Sequence, residues 1–492
     1  MKQASIKKNT FYNALKTFSS ILFPLITFPY ISRVLQPENV GRINFGLSIV
    51  SYFSLIATLG ITTYAIRECS AVRDDKDQFE KTASQIYSIN IITTIVAYLA
   101  LIIVLLFYHH LDSYRTLIIV QSFTIVATTL GTDWLNSAME DFKYITFRTL
   151  VFQLVSLILM FIFVHKPEDY MIYVMISVIS SAGANITNIW YRRRYCRVTF
   201  IWDTKDGIMW KRHSVPILLL FVMILAQNIY SNVDTTMLGL MYGDREVGIY
   251  TTARKIASLL FQVIVSIAWV VMPRMSYYFE EQKITEANEL FRKVFGFYFL
   301  VGLPCLVGGA MISEDIITII AGIEYQEAAY ILRIMIVGFI FDLFGASLIG
   351  NIIFLPSNRE KTYMLICGLT AVINVVTNFI FIPVYSTIAA ASTTAFCNLI
   401  MFILFFLTRD KRIKLKNVTR TIVTPIVGSL SIVFICIISI NISNIWTRMV
   451  VVIVVSVLFY VLIQWIGKND LFINIVEEIL EYLKPKFEKK DN

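Results

Sequence analysis

The chain has 492 residues, 57% of them hydrophobic and 16% charged, with a mean hydropathy of +0.68, where soluble domains carry about 25% charged residues. That composition excludes a soluble globular protein, and runs of roughly 20 apolar residues, each able to cross about 30 Å of hydrocarbon, leave no room for a separate soluble domain. The net charge of +9 therefore reads as a membrane-topology signal and not as a nucleic-acid surface, which would need a binding module the chain lacks.

In chain order, the first spans are expected at 11–32, 43–66, 84–108, 115–138, 147–165 and 170–190. Pro24 and Pro29 lie in the first of these. Each removes a backbone donor and bends the helix, which is tolerated where neighbours or cavity water satisfy the freed carbonyls. They are expected to form a gating bend in a cavity wall. Arg33, just beyond, is a candidate substrate cation or an interfacial anchor, and Lys16 is read as a snorkelling residue. The loop "RDDKD", Arg73 to Asp77, looks like a magnesium-binding carboxylate cluster but stands alone, so it reads as a solvated charged loop. Asp133 in the fourth span is a buried carboxylate and an ion-coupling candidate.

The seventh span, 214–240, carries Gln227, Asn228, Ser231, Asp234 and Thr235 at spacings of three and four, which places a polar stripe on one helical face. The eighth, 248–272, returns with Arg254 and Lys255 about 9 to 10 Å below its outer end, where they could meet Asp234 across the hairpin. A guanidinium fork and an ammonium suit phosphate oxygens, so Arg254 and Lys255 head the candidate substrate-binding set, with Arg333, Arg33, Asn228 and Ser231. Asp234 and Asp342 join Asp133 as ion-coupling candidates. Further spans are expected at 294–313, 327–355, 362–382 and 386–408, then at 421–441 and 447–466, making fourteen. Val40-Gly41 recurs as Val247-Gly248 and Arg67 as Arg274, both at an offset of 207, and Asp133 as Asp342 at 209. The expected organisation is an N-terminal six-helix lobe, 1–210, a C-terminal six-helix lobe, 211–410, two additional helices, 411–466, and a cytoplasmic amphipathic tail, 467–492. In that tail Phe472, Val476, Ile479 and Leu483 form one stripe.

Most of the 43 Lys and Arg residues fall on the side shared by both termini, which the positive-inside rule makes cytoplasmic. The six cysteines show no metal or disulfide spacing and the four histidines no ligand pattern. Gly467-Lys468 lacks a phosphate-binding loop, so ATP hydrolysis is not expected. No catalytic residue, metal or cofactor is assigned, and the chain is not expected to be an enzyme.

The run "PLITFPYISRVLQPENVGRINFGLSIVSYFSLIATLGITTYAIREC", with "VRDDK" and "DWLNSAMEDFKYITFR", resembles the Wzx-type polysaccharide-repeat flippases of the multidrug/oligosaccharidyl-lipid/polysaccharide exporter superfamily. The resemblance covers nearly the whole chain. It implies an all-α polytopic membrane protein with two six-helix lobes in a MATE-like arrangement around a cationic cavity, plus two C-terminal helices. The substrate it implies is an undecaprenyl-pyrophosphate-linked oligosaccharide, moved by alternating access across the bacterial cytoplasmic membrane for O-antigen, capsule or exopolysaccharide, beside a polysaccharide polymerase and a chain-length regulator. It carries over Arg254 and Lys255 first, then Arg333, Asp234 and Asp342. The alternatives are a cation-coupled multidrug exporter of the same superfamily and, from another class, a membrane polysaccharide polymerase, which the short outer loops argue against.

Overall fold

A computed structural model describes residues 6–201, 209–414 and 418–487, and among these the regular elements are all helical. The chain runs through α1 (Ile6–Thr58), α2 (Ile61–Ala71), α3 (Lys76–Phe107), α4 (Arg115–Gly131), α5 (Trp134–Ala138), α6 (Phe142–Phe163), α7 (Tyr170–Tyr191) and α8 (Met209–Met241). It continues with α9 (Asp244–Glu280), α10 (Ile284–Phe297), α11 (Leu303–Met311), α12 (Ser313–Ile320), α13 (Ala328–Asp342), α14 (Glu360–Thr408), α15 (Thr419–Ser439), α16 (Ile445–Ile466) and α17 (Asp470–Phe487). Among the described residues, ten helical stretches are long and apolar enough to cross a membrane, and α8, bent by 51° between Arg212–Val222 and Gln227–Met241, makes an eleventh if its two limbs are one span.

Two of these stretches turn back on themselves. α1 is broken at Gln36 (φ 62°, ψ 168°), where Pro37 disfavours helical geometry for the residue before it. Before the break Tyr12 meets the start of α6, its carbonyl accepting from Thr146 at 2.9 Å, and Tyr30 donates to Val164 just past the end of α6 at 2.6 Å. After the break the direction reverses: Gln121 near the start of α4 donates to Ile43 at 3.0 Å, and Asn90 in the middle of α3 donates to Ala57 at 2.8 Å. The helix runs on through Pro24 and Pro29, and the sharp turn falls at Gln36. α14 is likewise broken at Ser386. Asn374 donates to Thr394 at 3.3 Å and Thr393 to Asn378, pairs that an unbroken helix would hold about 22 to 30 Å apart. Each reversal adds a crossing, and α4, with 17 residues, supplies the last of the fourteen expected from the sequence.

The chain packs as two compact units, Met1–Thr251 and Thr252–Asn492, divided within α9. In the first unit the segments expected on one membrane side converge. Arg42 Nε lies 3.1 Å from Asp244 and Tyr114 donates to the same carboxylate at 2.6 Å, while Asn39 donates to Pro167 at 2.9 Å. On the opposite side Arg73 pairs with Glu140 at 2.6 Å, and Asp141 accepts from Tyr191 and Tyr195, each at 2.6 Å. Asp75 caps α3 by accepting from Asp77 and Gln78, so the "RDDKD" loop has a structural role.

The repeated glycines meet each other. A Cβ on Gly41 would stand 1.6 Å from the Asp244 carbonyl oxygen, and one on Gly248 would stand 1.9 Å from that of Pro37. Shifting 41 and 37 by the repeat offset gives 248 and 244, so the two contacts exchange as an isologous pair does. Only a residue without a side chain permits this approach of backbone to backbone.

In the second unit, two π-helical segments, Tyr298–Gly302 and Leu343–Phe354, extend α10 and α13 and are joined by a 2.6 Å bond between Tyr298 and Ser347. α15 and α16 pack as a pair, and buried Asn469 fixes the turn into α17 by donating to Thr424 and Gln464 and accepting from Leu471 and Phe472. α17 packs on α10, α15 and α16. Of its expected apolar stripe, Phe472 and Val476 are half-buried, while the side chains of Ile479 and Leu483 lie outside the described residues.

Candidate functional site

The membrane-length helix α9 presents polar groups on an exposed face. Lys255, Gln262 and Ser266 are all exposed and lie within about 40° of one another around the helix, with half-buried Ser258 beside them. Val263 and Val270 occupy the neighbouring arc, and Arg254 is half-buried. Ser258 and Ser266 satisfy themselves by donating to carbonyls one turn back, of Lys255 at 2.9 Å and Val263 at 2.8 Å. An ammonium and a carboxamide on such a face are costly against acyl chains, where polar groups find no water. By contrast, the exposed residues of α3 are an apolar series, Ile95, Leu99, Ile102 and Leu106, as lipid contact requires. The polar face of α9 suits water or a polar ligand.

The polar stripe expected on the seventh span divides in two. Asn228 and Thr236 turn toward the returning half of α1: Ser51 donates to Asn228 at 3.4 Å, Thr236 to Ser48 at 3.1 Å, and Tyr52 lies 3.0 Å from Thr236. Asn228 therefore helps to zip α8 onto α1. Asp234 is buried and accepts the hydroxyl of Tyr250, one turn before Arg254 on α9. Ser231 is half-buried and Gln227 exposed.

The remaining sequence-predicted residues lie apart. Arg333 donates from Nε to Ser313 at 2.8 Å and from an Nη to Glu314 at 2.7 Å, bracing α13 against the α11–α12 junction. Asp133 accepts from buried Arg148 at 2.7 Å and from Asn136 at 3.0 Å, which gives it a structural partner. Arg33 is exposed near the Gln36 break. Asp342 is half-buried and ends α13 where the π-helical segment begins.

A family model described as polysaccharide biosynthesis protein matches residues 6–279, more than half of the chain. The chain belongs to this polysaccharide biosynthesis protein family. A second model, MatE, matches residues 220–380. Among relatives, the chain is 25% identical over 405 residues to the capsular polysaccharide biosynthesis protein CapF of Staphylococcus aureus, covering 81% of this chain and 98% of that protein. It is 24% identical over 426 residues to a putative O-antigen transporter of Escherichia coli K12, covering 83% and 98%. Among solved structures, the inward closed conformation of the lipid II flippase MurJ superposes with a TM-score of 0.75 at 15% identity, over 93% of this chain and 99% of that one. The fold is therefore that of a polytopic all-α membrane protein, shared with that structure over nearly its whole length.

Gln262 and Ser266 do not stand out in the sequence, because neither is charged. Their positions seven and eleven residues after Lys255 were a usable signal, since those spacings return to the same helical face. Tyr250 was also missed, because nothing in its neighbourhood on α9 reveals that α8 places a carboxylate beside it.

Proposed function

We propose that this protein is a flippase for a polyprenyl-pyrophosphate-linked oligosaccharide repeat unit, working by alternating access in the bacterial cytoplasmic membrane with both termini in the cytoplasm. The observation that carries the reading is the exposed Lys255–Gln262–Ser266 face on a helix of membrane length. Lys255 and Arg254 receive the pyrophosphate, for which charge-assisted hydrogen bonds are the strong contacts. The uncharged polar groups below them face the sugars, while the polyprenyl tail stays in hydrocarbon. Pro24 and Pro29 let the first crossing flex, and Asp234 and Asp342 are the coupling carboxylates. The names of the capsular and O-antigen relatives support a polysaccharide precursor as cargo, with a polymerase and a chain-length regulator acting on the product. A cation-coupled drug exporter is disfavoured by the ammonium at the head of this face, which repels cationic drugs.

The test is Arg254→Ala with Lys255→Ala in a cell that depends on this gene for surface polysaccharide. The reading predicts loss of surface polymer and build-up of the lipid-linked repeat on the cytoplasmic side at undiminished protein level. Normal polymer from the double variant would remove the site, and drug efflux without precursor flipping by the unaltered protein would replace the function.

A further inference from the structure

Inside the Thr252–Asn492 unit lies a cavity of about 550 Å³ that the transport reading does not use. Both π-helical segments wall it. Phe295 of α10, Phe299 of the first segment and Phe344 of the second form one aromatic cluster, with ring centroids 4.7 to 6.1 Å apart. Phe402 and Phe406 on the last turns of α14 face them across the cavity. π-helical turns are uncommon and concentrate at functional sites.

The mouth of the cavity is basic. Arg409, Lys411 and Lys414 follow directly on α14 and line it. Arg409 is engaged as a helix cap, donating to the Phe406 carbonyl at 2.7 Å with its guanidinium 3.9 Å from the Phe406 ring centre. Asp410 is consumed locally by a two-pronged pair with Arg412 at 2.8 to 3.2 Å, and that guanidinium holds its carboxyl below the ordinary range. Lys411 and Lys414 have no carboxylate partner among the described residues. Asn288 of α10 pins the loop in place, donating to the Arg412 carbonyl at 3.2 Å and accepting from the Lys414 amide at 2.6 Å. Lys414 also lines a second, polar hollow of about 270 Å³, together with Thr285, Glu289 and Arg292. Lys414 thus lines both an apolar chamber and a neighbouring hollow that carries hydroxyl, carboxylate and cationic groups.

We propose that this compound cavity binds an anionic phosphoglyceride of the phosphatidylglycerol type. An acyl chain fills the phenylalanine chamber, the phosphate sits between Lys411, Lys414 and Arg292, and the headgroup hydroxyls meet Thr285 and Glu289. Basic pockets between transmembrane helices on the cytoplasmic side are a known form of lipid-headgroup site. Glu289 selects for a single phosphate carrying a hydroxylated headgroup over a pyrophosphate, because a second anionic group would face a carboxylate. The occupant is therefore a bilayer lipid and not the pyrophosphate-linked cargo.

The test measures lipid retention by native mass spectrometry of the full-length protein from mixed micelles containing dioleoyl phosphatidylglycerol, dioleoyl phosphatidylcholine or polyprenyl pyrophosphate. The proposal predicts selective retention of phosphatidylglycerol. Lys411→Gln with Lys414→Gln should weaken it about fivefold per cation removed, while Lys411→Arg with Lys414→Arg retains it. A photoactivatable acyl chain on phosphatidylglycerol, used with the unaltered protein, should label the peptides holding Phe295–Phe299 and Phe402–Phe406. Equal retention of the zwitterionic lipid, unchanged retention by the glutamine variant, labelling elsewhere, or preference for polyprenyl pyrophosphate would each overturn it. No transport is measured, so this site stands or falls separately from the flippase reading.

Discussion

Lys255 and Asp141 stand for the two roles a polar side chain takes in this account, the proposed contact with cargo and the bracing of the scaffold. Lys255 is exposed on α9 at the head of a polar face. Lys255→Gln keeps the length but removes the charge, so it should slow flipping of lipid-linked saccharide in proteoliposomes by about 10-fold or more, the equivalent of one charge-assisted hydrogen bond. Lys255→Arg should retain most of the rate. Asp141 lies at the other extreme, in the loop before α6. Burial pushes its pKa up, but the hydroxyls of Tyr191 and Tyr195 and the amide of Tyr144 outweigh that and hold it below the ordinary carboxylate range. A carboxyl depressed in the folded state contributes its full stabilisation above its unfolded pKa and loses it as pH falls through the folded value. Melting in detergent should therefore show Asp141→Asn less stable by about 1 to 3 kcal/mol near neutrality, with the difference from the unaltered protein shrinking below about pH 4. A difference that is constant with pH would contradict this assignment. Arg333 and Asp133 show why charged candidates are hard to sort from sequence: their partners Glu314 and Arg148 lie on other elements, and which neighbour a helix brings is decided by packing.

Elements were more legible than sites, because crossing hydrocarbon demands about 20 apolar residues wherever it happens, and that demand is written locally. The reversal points were less so. Pro24 and Pro29 are the conspicuous breakers, yet α1 carries them within one helix and turns at Gln36, where Pro37 constrains the residue before it. The π-helical stretch Leu343–Phe354 leaves no trace in an almost continuously apolar run, where any period fits. The contact of the repeated glycines makes a sharp element-scale prediction. Gly41→Ala or Gly248→Ala drives a methyl into backbone carbonyl and should cost about 3 kcal/mol or more, read as a large fall in melting temperature or loss of folded protein. Gly368 on α14 has nothing within 4 Å of its would-be Cβ, so Gly368→Ala should be neutral or stabilising by up to about 1 kcal/mol. Equal effects at all three positions would show that the glycine contact does not hold these helices together.

For the whole molecule, family membership and a MurJ-like fold supply the frame, and the proposed flippase function adds to it the polar face of α9 as the cargo's contact. The two depend on one physical condition, that this face is wetted and not pressed against lipid. The direct measurement is thiol labelling in membranes. The six native cysteines are replaced, and single cysteines are placed at Lys255, Gln262 and Ser266, with Val263 and Val270 as neighbours on the same helix. The account predicts that a membrane-impermeant thiol reagent modifies the first three far faster than the last two, and that added polyprenyl-pyrophosphate oligosaccharide protects those three. Uniform labelling around the helix, no labelling of the polar positions, or labelling that the lipid-linked saccharide leaves unchanged would contradict it.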